Sequence, residues 1–391
     1  MFHKIKSEKE NDELQILNSN SENKEDLDKR GCIVDKKNNI ICPSLGYIRE
    51  YNIDTIEEGK VIVPIEWKWS HAVEGTILRL YFFNNEWYLS THKKISAFQS
   101  RWSCKFSFGE LFIHTLEEIF PEKENVYEWF LSELSKEKIY YFLLRSNFQN
   151  RIICHTSSLE PKDKIIYIGF RDNIDKILNI EDRNGIFHSL SFIKNIDNNF
   201  NSFNDILKYV EEVVDPFQYQ GILGYNYKTH KFIKVINSKY KELVKVRGNN
   251  HNLRFRYLEI RNDKVMLEKL YMLYPKFSSV FDEYERLIHK ISKKIYRVYI
   301  DRYIHNKYIT LPKEEYIILR KCNEWFLKNK ECRISPKDVL DILNKETCYY
   351  LYKMIQRIKN EENIDVYFYR NKIKTTSFDS LQNFYQQIED N

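Results

Sequence analysis

Two short groups of residues in the first quarter of the chain have the chemistry to hold a phosphate group. Gly75 and Thr76 form the first group, and the basic pair Lys93 and Lys94 forms the second. Glycine permits close approach of a ligand to the backbone, threonine offers a hydroxyl, and lysine offers a positive charge. The same residues also suit a surface hairpin with a solvated basic end, and the local sequence leaves both interpretations open.

A β-hairpin is expected to position these two groups. Residues 76–83 and 87–91 have the β-branched and aromatic composition of strands, and Asn84 and Asn85 separate them. Asparagine tolerates positive φ, so this pair suits the tight turn of a hairpin. We therefore expect an antiparallel sheet with the 76–91 hairpin at its centre.

The composition limits the class of protein. The chain has 391 residues, of which 42% are hydrophobic, so it can form two or three domains with real cores. A net charge of +6 favours a local basic surface over a general affinity for nucleic acid. The chain shows no apolar signal-peptide region and no run of eighteen apolar residues, so we expect a cytoplasmic protein that does not span a membrane.

The cysteines indicate a reducing compartment. There are seven, an odd number, and none forms a CxxC pair. This usage is typical of free thiols, and it argues against both a disulfide framework and a zinc site.

Changes in pattern divide the chain into four parts. Residues 1–28 are charged and polar, which predicts a flexible tail. Residues 29–262 mix strand and helix patterns and predict an α+β domain. From about Val265 the apolar period becomes 3.6, which predicts an all-α domain over 263–362, followed by a polar tail over 363–391.

Within the α+β domain the patterns predict a further series of elements. An early pair of strands is expected between Arg30 and Pro43, and later strands at 139–145, 151–155, 165–170, 219–225 and 232–235. Helices are expected at 108–120, after the capping-box pair Ser107 and Glu110, and at 126–134, 203–213 and 239–246. Residues 172–202 are rich in Asn and Asp and predict a loop with one or two helices.

The densest basic stretch lies between residues 239 and 261. It interleaves lysines and arginines with aromatic residues, a composition that suits single-stranded or structured RNA. Arg247, Arg254 and Arg256 are its candidate RNA contacts. A solvated basic face is an equally open interpretation.

The order of the motifs resembles the adenylyltransferase domain of the phage-type, tRNA-repair RNA ligases, which share the lysyl-nucleotidyltransferase superfamily with DNA ligases and mRNA capping enzymes. Arg30–Asp35 with Ile41–Pro43 resembles the family's RGxxF…PFPKF, and Glu74–Thr76 with Ser90–Lys94 resembles the end of KxDGS and the basic strand end that follows it. Tyr141–Leu144 with Asn150–Ile153 resembles FEF…NRIV. Tyr219–Ile222 resembles EGxV, and Phe232–Ile236 resembles VKxK. The resemblance covers the α+β domain, and a helical C-terminal domain is also typical of that family. The segment from Lys234 to Asp263 also resembles uncharacterised proteins of large DNA viruses.

The resemblance implies a nucleotide site. In such ligases a lysine amine attacks the α-phosphate of ATP, while Mg²⁺, a carboxylate and further lysines stabilise the phosphate charge. An active chain would therefore use ATP and Mg²⁺ and act on RNA. The nucleotide-binding residues implied here are Glu74, Gly75, Thr76, Lys93, Lys94, Gln220 and Lys234, with Glu74 also a weak metal ligand.

Four positions depart from the family pattern. Ala72 stands at the nucleophile, Leu143 at the ribose-binding glutamate, Gln220 at the metal-binding carboxylate, and Ile236 at the second lysine of the last motif. Glutamine is neutral and a weak ligand for a hard cation. We therefore predict a degenerate active site, less polar than that of a working ligase. It should bind nucleotide weakly and without metal.

Four residues shortly before Ala72 leave alternatives open. Lys68 is the nucleophile if the loop before Gly75 differs from the family's, and His71 has a ring nitrogen able to form a phosphoramidate. Trp67 and Trp69 fit either a core or a nucleobase platform. Two functions follow: a ligase-like protein that binds RNA or serves as a scaffold in a virion or viral complex, or an active ATP-dependent RNA ligase or capping-type nucleotidyltransferase that uses Lys68.

Overall fold

The structure, a computed structural model, describes residues 3–6, 13–18, 28–149, 151–152, 164–172, 178–180, 185–196, 200–226, 228–329 and 333–371. The chain divides into two compact units, Met1–His251 and Asn252–Asn391. This boundary precedes the expected one at 262/263. The difference arises because Tyr257 stacks on Phe281, 5.2 Å between ring centroids, and ties its segment to the helical unit.

The first unit contains three sheets built from its described strands. In chain order these are β1 (His3–Lys6), β2 (Leu14–Asn18), β3 (Ile33–Asp35), β4 (Ile40–Cys42), β5 (Arg49–Tyr51), β6 (Trp67–Ala72), β7 (Thr76–Phe83), β8 (Glu86–Thr91), β9 (Ile139–Arg145), β10 (Lys164–Arg171), β11 (Ser191–Phe192), β12 (Gly221–Asn226) and β13 (Phe232–Ile236). The N-terminal sheet has the order β1-β2-β3-β4, the five-stranded sheet β11-β10-β9-β7-β8, and the β6 sheet β5-β13-β12-β6. All pairings are antiparallel except β10–β11 and β13–β5.

The expected hairpin is present, but it is not central. Asn84 and Asn85 have φ of 46° and 62°, the left-handed values that the tight turn requires. The hairpin strand β8 lies at an edge of the five-stranded sheet, whereas β9 lies in its middle because it pairs with both β7 and β10. The antiparallel α+β architecture agrees with the sequence prediction.

Helices cover one face of the five-stranded sheet and one face of the β6 sheet. The first unit contains α1 (Ile56–Gly59), α2 (Phe108–Ile119), α3 (Val126–Ser132), α4 (Phe203–Glu212) and α5 (Ser238–Arg247). Helix α2 begins at the expected capping box between Ser107 and Glu110. Helices α2 and α3 pack on the five-stranded sheet through Phe112 and Phe130, which contact Phe142. Helix α4 packs on the β6 sheet in a core shared with Trp69.

Two expectations about loosely ordered and extended segments were wrong. Residues 14–18 are not a flexible tail, because β2 pairs with β3 and buries Leu14 and Ile16 in the core. The expected strand over 151–155 does not begin at Arg151 or Ile152, and residues 153–155 lie outside the described ones. Arg151 instead donates a 3.0 Å hydrogen bond to the hydroxyl of Thr76, which turns it across the end of β7.

The second unit is helical in its described residues, as expected. Its helices are α6 (Leu253–Ile260), α7 (Lys264–Leu273), α8 (Ser278–Tyr299), α9 (Lys313–Lys328), α10 (Pro336–Asn344) and α11 (Cys348–Asn371). Helix α8 contributes buried residues to this core over four turns, including Phe281, Ile288 and Ile295. Helix α11 continues through 363–371, which the sequence assigned to a polar tail, and residues 372–391 lie outside the described ones. Among the helices that the structure describes, none has the length and apolar character needed to cross a bilayer.

Candidate functional site

A cavity of about 230 Å³ lies in the first unit, with walls from the five-stranded sheet and the β6 sheet. The β6 sheet contributes side chains from β6, β12 and β13, and the five-stranded sheet contributes side chains from β7, β9 and β10. The helices pack on the opposite faces of these sheets. Leu143 illustrates the alternation, since it lines the cavity while Phe142 and Leu144 on either side join the helix-covered core.

Strand β6 presents different residues on its two faces. Lys68, Ser70 and Ala72 line the cavity, as the period of two along a strand requires. Trp69 lies on the opposite face, is 4% exposed, and packs edge-on against Phe200 with 6.0 Å between centroids. The core interpretation of the tryptophan pair is therefore confirmed, because Trp67 packs against the same cluster.

His71 also lies on the face away from the cavity. Its ring stacks on Tyr219 with centroids 4.1 Å apart. Burial, with a contribution from the charge of Lys194, lowers the pKa of His71 below its usual value, so the neutral ring is favoured. A phosphoramidate on His71 would require this ring to leave its stack and cross the strand.

Lys234 is the best-defined polar group of the cavity. Its ammonium donates to Glu50 Oε1 at 3.2 Å and to Gln220 Oε1 at 3.0 Å. The parallel pairing of β13 with β5 places Glu50 opposite Lys234. Gln220 is fixed by its backbone amide, which donates to the carbonyl of Ala72 at 2.8 Å. The lysine is therefore held between one carboxylate and one amide.

Two glycines of the expected motifs are required by close strand packing. A Cβ on Gly75 would lie 2.7 Å from Leu143 Cγ and 2.8 Å from the carbonyl oxygen of Leu144. Gly221 has a φ of 151°, and its Cβ would lie 1.9 Å from the carbonyl oxygen of Val235. Both positions need glycine for the backbone itself, whether or not a phosphate binds nearby.

The structure brings together three of the seven expected nucleotide-binding residues. Gly75, Gln220 and Lys234 line the same cavity, together with Ala72 and the alternative nucleophile Lys68. These residues come from strands that lie far apart in the sequence, as the motif order predicted.

The remaining expected residues do not line this cavity. Lys93 and Lys94 follow β8, the edge strand, whereas the cavity walls come from β7, β9 and β10. Thr76 accepts a hydrogen bond from Arg151, and Glu74 is buried between two residues, Val73 and Gly75, that do line the cavity.

The donor set does not fit Mg²⁺. A hard cation of this kind prefers carboxylate oxygens, and the described residues that line the cavity include no aspartate or glutamate. Within the described part of the chain, no group of three or more His, Cys, Asp or Glu residues has the arrangement of a metal site. The amide of Gln220 is neutral and accepts a hydrogen bond from Lys234.

The three arginines proposed to contact RNA have different environments. Arg247, in the first unit, is 5% exposed and donates to the backbone carbonyls of Asn250 and His251, so it stabilises its own loop. Arg256, in the second unit, forms a 2.9 Å ion pair with Glu259 one turn away, and its side chain is largely buried. Of the three, Arg254 alone is exposed.

Five residues with polar groups near the cavity were not identified from the sequence. Ser70, Tyr167, Asn195 and Tyr225 line it, and Glu50 pairs with Lys234. Ser70 lies two residues after Lys68 and two before Ala72, so the period of two along a strand could have identified it. Glu50 and Asn195 are placed by pairings between distant segments, which leave no local signal.

Comparisons with known proteins found similar proteins of two kinds. No protein-family model matches the chain. An "Immediate-early protein ICP-46 homolog" of Invertebrate iridescent virus 6 is 26% identical over 69% of this chain and 61% of that protein. The homolog of Invertebrate iridescent virus 3 is also 26% identical, over 59% of this chain and 49% of that protein. The chain thus spans about half to three-fifths of the length of these relatives.

The similar solved structures are ligases. A putative ATP-dependent DNA ligase from Aquifex aeolicus has a TM-score of 0.40 and 13% identity, with 85% of each chain covered. An archaeal ATP-dependent RNA ligase has a TM-score of 0.41 and 11% identity, over 72% of this chain and 68% of that one. Naegleria gruberi RNA ligase with PPi has a TM-score of 0.35 and 10% identity, over 52% and 59%. The two kinds of protein found, those of large DNA viruses and nucleotide-dependent ligases, are the two that the motifs resemble.

Proposed function

We propose that this chain is an RNA ligase-like protein that binds RNA and no longer transfers nucleotides in its cavity. The observation that carries this proposal is the position of Ala72. It lies on the cavity face of β6, where the motif order places the nucleophilic lysine of such a ligase. A methyl group cannot attack a phosphate, so the covalent step has no nucleophile at this position.

The rest of the cavity supports the same conclusion. Leu143 supplies an apolar wall where a ligase would bind ribose. Lys234 already contacts Glu50 and Gln220, and each of these would have to give way before a phosphate was bound. The lining offers no carboxylate among the described residues to hold the metal that polarises the phosphates.

RNA binding is proposed on the basic surface of α5, outside the cavity. Lys239 and Lys245 on α5 are exposed, whereas the interleaved Tyr240 is buried. Buried rings are not available to stack on bases. We therefore expect contacts to phosphates, with strong salt dependence and little sequence preference. The proposed location is the cytoplasm of an infected cell, or the virion, within a viral complex.

Nucleotide transfer is tested by incubation with radiolabelled ATP or GTP and Mg²⁺, followed by a denaturing gel. We expect no label on the protein. Label that survives denaturation would overturn the proposal.

A second candidate function, an active ligase or capping-type enzyme, is favoured by the position of Lys68. It shares the cavity face of β6 with Ala72, although a strand rise of about 3.3 Å per residue places it roughly 13 Å further along. Label that is lost in Lys68→Met and kept in Lys228→Met would establish this function. Lys228 is the matched control because it lies at the β12–β13 turn and pairs with Glu66.

RNA binding is tested by fluorescence anisotropy with a labelled single-stranded RNA. The double variant Lys239→Glu/Lys245→Glu should weaken binding about tenfold or more and reduce the salt dependence, because phosphate contacts are lost. The control Lys36→Glu/Lys37→Glu makes the same charge change at another exposed site. Equal weakening by both double variants would show a general charge effect and no specific surface.

A further inference from the structure

We propose that the cavity of the first unit binds a small, neutral and mainly apolar molecule. This inference rests on the proposed function, because a cavity still used for nucleotidyl transfer would be reserved for its nucleotide. Three properties of the cavity carry it: the character of its walls, the pairing of its charged and polar groups, and its volume.

The walls favour an apolar ligand. Of the nineteen residues that line the cavity, eleven have aliphatic or phenyl side chains. Ile77 and Leu143 line it from the five-stranded sheet, whereas Leu223 and Phe232 line it from the β6 sheet. An apolar molecule placed between the two sheets would be removed from water on both sides, which is favourable without any directional contact.

The charged groups of the cavity already have partners. Lys68 and Lys234 are the charged residues among the described lining. The ammonium of Lys234 donates to Glu50 at 3.2 Å and to Gln220 at 3.0 Å. Lys68 and the buried Glu74 beside the cavity each have a partner within the chain as well. A charged ligand would have to displace one of these partners before its own charge was balanced, which is unfavourable in a mainly apolar space.

Two hydroxyl groups of the lining are also engaged. Ser70 donates to the carbonyl of Leu223 at 3.3 Å, and the hydroxyl of Tyr225 lies 2.8 Å from Nδ1 of His230. A ligand is therefore not needed to complete these hydrogen bonds. Asn195 lines the cavity and is exposed, so it lies where the cavity meets water, and its amide can bond one neutral polar group there.

The volume favours a compact ligand. At about 230 Å³ the cavity is larger than the roughly 150 Å³ that binds benzene in an apolar protein core, and smaller than the roughly 300–1,000 Å³ typical of sites for drug-sized molecules. Adamantan-1-ol, a rigid cage hydrocarbon with one hydroxyl, has an intermediate size and one neutral polar group. It is the probe that these properties select.

The charge of the ligand is tested by isothermal titration calorimetry of the full chain at pH 7 with three probes that share one cage. The probes are adamantan-1-ol, adamantane-1-carboxylate and adamantan-1-ylammonium. We expect saturable 1:1 binding of the alcohol. It should bind at least about tenfold tighter than either charged probe, because neither charge regains in the cavity the hydration that it loses.

Two variants test the location. Ala72→Leu on β6 and Leu223→Phe on β12 add atoms to residues that line the cavity, and each should weaken binding of the alcohol at least about tenfold by filling its volume. The control Ile65→Phe enlarges a side chain that is 87% exposed and does not line the cavity, and it should leave the affinity unchanged. Circular dichroism establishes that each variant is folded, and either filling variant suffices if the other unfolds.

Several results would overturn the inference. Equal or tighter binding of either charged probe would show that a charged group of the cavity recognises the ligand. Unchanged affinity in the folded filling variants, or an equal loss in Ile65→Phe, would place the binding outside the cavity. Absence of saturable binding of the alcohol would also overturn it, while leaving the proposed function intact. Labelling of the protein by ATP and Mg²⁺ would instead overturn the proposed function, so the two failures are distinguishable.

Discussion

Two ionic clusters in this chain use the same chemistry in different ways. In the helical unit, Glu314 and Glu315 begin α9 with side chains only 9% and 3% exposed, and the guanidinium of Arg357 on α11 contacts both. In the cavity, Lys234 pairs with a glutamate, Glu50, whose side chain is 59% exposed.

The difference lies in which charge is buried. In the cluster of the helical unit the buried charges are the carboxylates of Glu314 and Glu315, and each has a cation from a neighbouring helix. Such a cluster fixes the arrangement of helices, because removing one partner leaves a charge stranded in the core. In the cavity Lys234 lies among mainly apolar side chains, and the acid that pairs with it is largely exposed to water. We infer that the first cluster serves the fold, whereas the second contributes little to stability.

The largest effect should follow removal of Arg357. Arg357→Met should lower the free energy of unfolding by about 3 kcal/mol, the lower end of the range for breaking a buried ion pair. The lower end is expected because Lys353 and Lys294 still contact the two glutamates. Urea denaturation followed by circular dichroism measures it. The control Lys290→Met breaks the exposed pair with Glu362 and should cost at most about 1 kcal/mol. Equal losses would contradict the distinction between the clusters.

A smaller effect should appear on acidification. Burial raises the pKa of Glu314, but hydrogen bonds from its own backbone and from Arg357 outweigh burial and leave the pKa below the usual 4.5. Because the pKa of Glu314 is lower in the folded chain than in the unfolded chain, its ionised carboxylate stabilises the fold above pH 4.5. This stabilisation is lost as the pH falls through the pKa of the folded state.

The matched variant for this pH effect is Glu314→Gln. Its difference in melting temperature from the wild type should be largest at neutral pH and should narrow below pH 4.5. A difference that does not depend on pH would show that the charge of Glu314 contributes nothing to stability.

The smallest effect on stability should come from the cavity. Lys234→Met should change the free energy of unfolding by less than about 1 kcal/mol, because Glu50 is exposed enough to be hydrated once it loses its partner. The same urea denaturation measures it. A loss as large as that of Arg357→Met would show that Lys234 is a structural residue, and the comparison between the clusters would fail.

Local signals predicted much of the fold. The positive φ of Asn84 and Asn85 and the capping box of Ser107 are set by residues within a few positions, so the sequence contains them. The strand at Leu14 and Ile16 was missed because its short apolar alternation is surrounded by charged residues, and its pairing with β3 supplies the order. Helix α6 was missed because the 3.6-residue apolar period was recognised only from about Val265, although Asn252 caps this helix.

The site was predicted less completely than the fold. The motif order placed Gly75, Gln220 and Lys234 together, and all three line the one cavity, whereas the strand β6 that carries Lys68 and Ala72 was not predicted. Glu50 was not predicted, because it meets Lys234 through a parallel pairing of strands far apart in the chain. Lys93 was misplaced for a related reason: the order of strands within a sheet is decided by long-range packing, which the hairpin sequence does not contain.

The central claim, that this cavity has lost the means to bind and transfer a nucleotide, is tested most directly by calorimetry with ATP in the presence and absence of Mg²⁺. The arrangement of Ala72, Gln220 and Lys234 predicts weak binding that Mg²⁺ does not strengthen, because the described lining offers the metal no carboxylate. Tight binding that requires Mg²⁺ would contradict the claim and would establish that the chain retains a working nucleotide site.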